Sequence, residues 1–275
     1  MLAAALFFAI MGMLVKTAST HYTSAELVFY RSLFGLLVIS IIASKQRLSL
    51  RSPVMGKQLA RGGLGFISLL MFFFAISKLP LATAITLNHT SALFMAVFTP
   101  FILHERPGKR LVAAILLGLI GVALLLRPTF YTGEWLAGGV GLLSGLIAGV
   151  VYLYVTQLGR AGEPDWRTVF YFTLISTLGA GIWMLADRIN PITWQTLPLL
   201  LGIGASATIA QLLMTRAYRT GQHLVVGSLI YCTIMFASLF GIVFWNEMLS
   251  ADRWLAIALI ITGGIFAIIS TPKAR

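Results

Sequence analysis

Polar side chains set into otherwise apolar runs carry the chemistry this chain has to offer. Around residue 86, Thr83, Thr86, His89 and Thr90 fall within about 120° of arc if the run is helical, at roughly 100° per residue. Around residue 231, Ser228, Tyr231, Cys232, Met235 and Ser238 share a similar arc. Polar groups in hydrocarbon are costly, so hydroxyls and an imidazole gathered on one face point to a path for a polar solute. The plainer role for each hydroxyl is a bond to its own helix backbone or to a neighbouring helix. His89 ordinarily changes charge near neutral pH and would be able to exchange a proton, or it simply hydrogen-bonds a neighbour. Arg31 would grip a carboxylate in bidentate fashion. Alternatively it anchors the fold through Glu26 or a backbone carbonyl, or snorkels to an interface. Tyr152 and Gln211 each place a polar tip inside an apolar run.

The elements that hold these residues are set by composition. Hydrophobic residues make up 59% of the 275 and charged residues 10%, with a mean hydropathy of +0.93. No water-soluble core hides that much apolar surface, and runs of about 20 apolar residues suit a bilayer. Such runs fall at roughly 2–18, 25–43, 61–77, 81–103, 110–127, 135–158, 168–186, 196–216, 223–245 and 253–270. The expectation is an all-α integral membrane protein of ten transmembrane helices. The first run has no basic leader or evident cleavage site, so it reads as a span and not a removable signal.

The two polar arcs belong to a repeat. An offset of 142 carries Ala75, Leu87, Phe94, Phe98, Glu105 and Gly121 onto Ala217, Leu229, Phe236, Phe240, Glu247 and Gly263. An offset of 141 carries Val28, Phe29, Tyr30, Leu33 and Leu37 onto Val169, Phe170, Tyr171, Leu174 and Leu178. The same shifts lay Thr86 on Ser228, His89 on Tyr231 and Thr90 on Cys232, so matched faces would meet in a central cavity at the repeat interface. Arg31 falls on Phe172, so the symmetry breaks where a cation appears. The units divide as 1–130 and 131–275, five helices each.

Orientation follows from basic residues. The segment 44–61 with Lys45, Arg47, Arg51, Lys57 and Arg61, the loop near Arg106, Lys109 and Arg110, and the ends marked by Arg160, Arg167, Arg216, Arg219, Lys273 and Arg275 lie on one side. The positive-inside rule then places both termini in the cytoplasm, and an odd number of spans per unit makes the repeats inverted. The net charge of +12 therefore reflects basic loops and not nucleic-acid binding. The single cysteine excludes an intrachain disulfide, and no Walker motif offers ATP coupling. Four scattered histidines without metal-ligand spacing argue against an intramembrane enzyme and against a resident metal or cofactor.

Small residues and breaks suggest where helices slide or bend. Ala137, Gly141, Gly145 and Gly149 form a four-residue stripe, and Gly62, Gly63 and Gly65 are answered by Gly202 and Gly204. Pro100 removes a backbone bond inside the fourth span, and its counterpart Gly241 is also a weak helix position. These two read as hinges. Glu105 and Glu247 would close gates at opposite faces with Arg110 and Arg253. Among the aromatics, Phe72, Phe73, Phe74, Tyr154 and Trp183 are candidate cavity walls, and Trp135, Trp194 and Trp254 are candidate interface anchors.

The five-plus-five plan, with FYRSLFG from Phe29, AISKLPLATA from Ala75 and the FxxxxLxE pattern ending at Glu105, answered by FGIVFWNE ending at Glu247, resembles the drug/metabolite transporter superfamily, specifically its EamA-type exporters. The resemblance covers essentially the whole chain. It implies an exporter of a bacterial inner membrane without naming the cargo, and the leading reading is a secondary transporter exporting amino acids or related small metabolites by alternating access. Efflux of amines or drugs, or a lipid-linked substrate flippase, are the alternatives. Every Asp and Glu lies in a loop or near a span end, so facilitated diffusion or exchange is expected, with coupling to protons through His89 as the lesser route. A monomer suffices to enclose a cavity, with a dimer through a glycine seam as the alternative.

Overall fold

In a computed structural model, the residues described are 1–103, 109–131, 133–185, 189–220, 226, 229–247 and 250–270. Among them all regular structure is helical: α1 (Leu2–Ala18), α2 (Ser24–Lys45), α3 (Met55–Lys78), α4 (Leu81–His89), α5 (Ser91–Leu103), α6 (Lys109–Tyr131), α7 (Trp135–Arg160), α8 (Asp165–Leu185), α9 (Leu197–Thr220), α10 (Cys232–Trp245) and α11 (Ala251–Ser270). Among the described residues, six helical segments are long and apolar enough to cross a bilayer: α2, α3, α4 with α5 as Leu81–Phe101, α7, α8 and α9. The helices α1 and α10 are apolar but shorter. This is the make-up of an integral membrane protein.

Local sequence sets the helix ends. Thr23 and Glu26 form a capping box at the start of α2, with Thr23 N–H donating to Glu26 Oε2 at 2.7 Å. The other end of Glu26 reaches out of its helix to the loop at Asn190, whose backbone N–H and side-chain amide donate to it at 2.7 and 2.9 Å. Helix α7 ends in a Schellman motif, with Glu163 N–H returning to Leu158 O and Gly162 at φ +79°. Only glycine takes that left-handed position without strain, and it delivers Glu163 to the loop after α2. Glu163 there accepts from Ser52, Gln58 and Arg167.

Helix packing follows the repeat. Helix α1 packs on α9 as α7 packs on α3, α1 meets α10 as α7 meets α5, and α2 meets α9 as α8 meets α3. The pairs α2–α8 and α6–α11 each join a helix to its own repeat equivalent, and α4 packs on α10, the equivalent of α5. Glycines make these approaches feasible. A Cβ on Gly62 would overlap Ile175, and one on its equivalent Gly204 would come 2.5 Å from Phe34, itself the equivalent of Ile175. Gly121 abuts Ala256 and Ile260 of α11, and Gly263 abuts Ala114 and Gly118 of α6.

The apolar run 81–103 is not one helix. Helix α4 ends at His89 and α5 begins at Ser91, with Thr90 N–H shared between Thr86 O and Leu87 O. The equivalent place in the second unit also breaks: Ile230 and Tyr231 form a turn, and α10 begins at Cys232. The α7 stripe packs here. A Cβ on Gly145 would overlap Leu87 O, and one on Gly149 would fall 2.9 Å from both Ser91 O and Met95 N.

Candidate functional site

Among the described residues, eight helices, α1–α4 and α7–α10, line a cavity of about 80 Å³. The space suffices for several waters. Its apolar wall includes Phe8, Met11, Phe72, Ile85 and Met214, and its polar groups come from Arg31, Arg61, Ser68, Asn88, His89, Tyr152, Gln211 and Thr233.

Two cations dominate it. Arg31 is 4% exposed and Arg61 1% exposed, and each leaves Nε and Nη1 without a hydrogen-bond partner among the described residues. Among the described residues, Arg31 Nη2 makes a long bond to Gln211 Oε1 at 3.4 Å. Both guanidinium groups lie over the ring of Phe172, at 5.3 Å for Arg31 and 4.0 Å for Arg61. Gly65 keeps that approach open, since a Cβ there would come within 3.0 Å of the ring. His89 is buried at the break between α4 and α5, with both ring nitrogens unpartnered among the described residues. Tyr152 stacks on Tyr218 at 5.5 Å, and Asn88 donates to Ser144 Oγ at 3.0 Å.

Arg31 does not pair with Glu26, as one expectation had it, because that carboxylate serves the α2 cap and Asn190. Nor does it snorkel; it turns inward. Arg61, assigned by its charge to a loop, instead lies well inside α3, which starts six residues earlier at Met55. The missed signal is a stripe at alternating spacings of three and four: Gln58, Arg61, Gly65, Ser68 and Phe72. Asn88 was also passed over, although it adjoins His89.

Of the proposed binding residues, Arg31, His89, Tyr152 and Gln211 come together around the cavity. Thr86, Thr90, Tyr231 and Cys232 are not part of its lining. Thr86 and Thr90 donate to their own helix at Ala82 O and Leu87 O, at 2.7 and 2.6 Å. Tyr231 is buried beside the second break, and Cys232 is a half-buried free thiol. Phe73 is in the core, while Trp183 is exposed, as are Trp135, Trp194 and Trp254.

Beyond the cavity, where α1 ends and α4 begins, Lys16 and Glu247 form an ion pair. Lys16 also donates to Leu79 O at 3.1 Å and lies over the ring of Trp245. Glu247 Oε2 accepts the Leu81 N–H at 2.9 Å, so a carboxylate sits at the N-terminus of α4, where helix partial charge favours it. The partner expected for Glu247, Arg253, is thus replaced by Lys16. Gly241 makes room for this arrangement: a Cβ there would fall 2.7 Å from Glu247 Oε2. Pro100 lies inside α5. Glu105 and Ser228 lie outside the described residues.

Apolar helices gathered around a cavity with unsatisfied buried charge define a multi-pass membrane carrier. The chain belongs to the EamA-like transporter family, whose model matches residues 1–127 and 135–269. It is therefore a membrane transporter and not an enzyme. The pseudopaline exporter CntI of Pseudomonas aeruginosa is 32% identical over 263 residues, covering 96% of this chain and 90% of that protein. A riboflavin transporter of Vibrio cholerae is 26% identical over 277 residues, covering 97% and 90%. A solved crystal structure, 20% identical, shares the fold with a TM-score of 0.66 over 96% of each chain.

Proposed function

We propose that the protein is a secondary transporter that exports small metabolites, amino acids or related compounds, from the cytoplasm across a bacterial inner membrane by alternating access. Its ten spans form two inverted five-helix units, 1–130 and 131–275, with both termini cytoplasmic, and a single chain encloses the path. The observation that carries this reading is the cavity itself: Arg31, Arg61 and His89 are buried in it with polar atoms that no described residue answers. Buried polar groups are ordinarily satisfied, so these await a solute. The name of the Pseudomonas aeruginosa relative supports export.

With the N-terminus inside, the Lys16–Glu247–Leu81 cluster closes the outer end of the cavity. Helix breaks at Thr90 and at Ile230–Tyr231 give each unit a pivot at mid-depth, as in carriers built from discontinuous helices. Efflux of cationic amines is disfavoured, because no described acidic residue lines the cavity and two arginines do.

The test is efflux from proteoliposomes loaded with a panel of labelled amino acids and related acids, comparing the intact protein with His89→Ala. Selective efflux, lowered by the substitution and indifferent to an imposed pH gradient, is the expected result. A folded protein that moves none of the panel would sink the export of amino acids or related compounds.

A further inference from the structure

Resting on the reading of this cavity as the substrate site, we propose that the transported solute is a small organic anion with two carboxylate-type groups, held jointly by Arg31 and Arg61. The first step is charge. A guanidinium remains positive at neutral pH, and burying it in a medium of low dielectric is unfavourable unless a counter-charge and hydrogen bonds answer it. Here two such groups are buried against one phenyl ring, a like-charge arrangement that opposes itself.

The second step is the absence of an internal answer among the described residues. No Asp or Glu lines the cavity. The well-buried carboxylates Glu26 and Glu163 are both taken, the first by Thr23 and Asn190, the second by Ser52, Gln58 and Arg167. Glu247 is taken by Lys16 and Leu81. The ring face of Phe172 and the Gln211 amide oxygen attract a cation only in part.

The third step is what a ligand must bring. A cationic solute adds a third positive charge to the site. A zwitterion with one carboxylate adds no net negative charge. Two carboxylates balance both arginines, each through the charge-assisted bonds for which guanidinium is suited. Asn88, Tyr152 and Gln211 then remain for the polar backbone of the solute.

The experiment uses the full chain, in detergent and in proteoliposomes, with succinate and L-glutamate against L-leucine and L-lysine. Thermal stabilisation in detergent reads binding, and counterflow in proteoliposomes reads transport. Succinate and glutamate should outcompete leucine by at least about tenfold, and Arg31→Gln and Arg61→Gln should each remove about tenfold of that preference. Arg61→Lys, which keeps the charge, should retain part of it.

Leucine moving well while neither dicarboxylate binds nor moves would overturn the proposal and leave the transporter reading standing. Dicarboxylates that raise the melting temperature through the arginines without flux of any solute would support the anion site and sink the transport reading. Dicarboxylate preference that survives both glutamine variants would also overturn the proposal. The wild-type comparison decides alone should a variant fail to fold.

Discussion

The carboxylates and the guanidinium groups buried in this bundle are treated in opposite ways. Near the helix ends, Glu26, Glu163 and Glu247 each collect two or more donors, drawn from helix caps, loops and a neighbouring basic side chain. At mid-bundle, Arg31 and Arg61 are as deeply buried yet keep most of their donors idle. An ion placed in an apolar interior is stabilised only when its partners are present in the same structure. The first set therefore holds loops and helices together. The second set is held ready for a partner that arrives from outside, at some cost in stability to the empty protein.

The sharpest way to break this contrast is to neutralise both arginines. Arg31→Gln with Arg61→Gln should lower transport of a dicarboxylate by about a hundredfold or more, since each charge-assisted contact is worth about 1.5–3 kcal/mol. The melting temperature should hold or rise, because an uncompensated buried charge is removed. A marked fall in melting temperature with transport retained would place the arginines in the structural set instead.

Glu163→Ala should do the reverse. It strips partners from Gln58 and Arg167 and should cost about 3 kcal/mol, read as a lower melting temperature, while the order of preferred solutes stays unchanged. A smaller effect is expected at the outer end. Glu247→Gln weakens the pair with Lys16 and the cap on α4, together about 1–2 kcal/mol, so outward opening should become about tenfold more frequent. The rate at which an external thiol reagent modifies Thr233→Cys, in a Cys232→Ser background, measures this opening. Gly145→Ala should cost about 1–3 kcal/mol by driving α7 off Leu87. Least of all, Thr86→Val should change transport by less than about twofold, because that hydroxyl only bonds Ala82 O.

Much of the architecture was legible because it rests on hydrophobic runs and on the repeat. The pairs Gly121–Gly263 and Gly62–Gly204 come at a fixed offset, and in the structure they sit at equivalent close approaches. The site was legible only in part. Arg31, His89, Tyr152 and Gln211 stood out as polar groups inside apolar runs. Arg61 did not, because an arginine within six residues of a helix start looks like a loop charge until the stripe from Gln58 to Phe72 is traced. The threonines misled for the opposite reason. A hydroxyl on the correct arc turns equally well to its own carbonyl, and sequence does not say which acceptor is nearer. The partner of Glu247 was hidden because Lys16 is 231 residues away along the chain.

The reciprocal contacts between the two units carry a consequence for how the chain is made. Helix α3 waits about 80 residues for α7, α2 about 140 for α8, and α1 about 180 for its main neighbour, α9. At about 5–20 residues per second of synthesis, that is roughly 10–40 s during which the first helices sit in lipid without their final neighbours. Arg31 and Arg61 spend the greater part of that interval without Phe172, which comes later in the chain. The nascent first half must therefore be sheltered at the insertion machinery, or reach its charged groups toward water, until the second half arrives to enclose them.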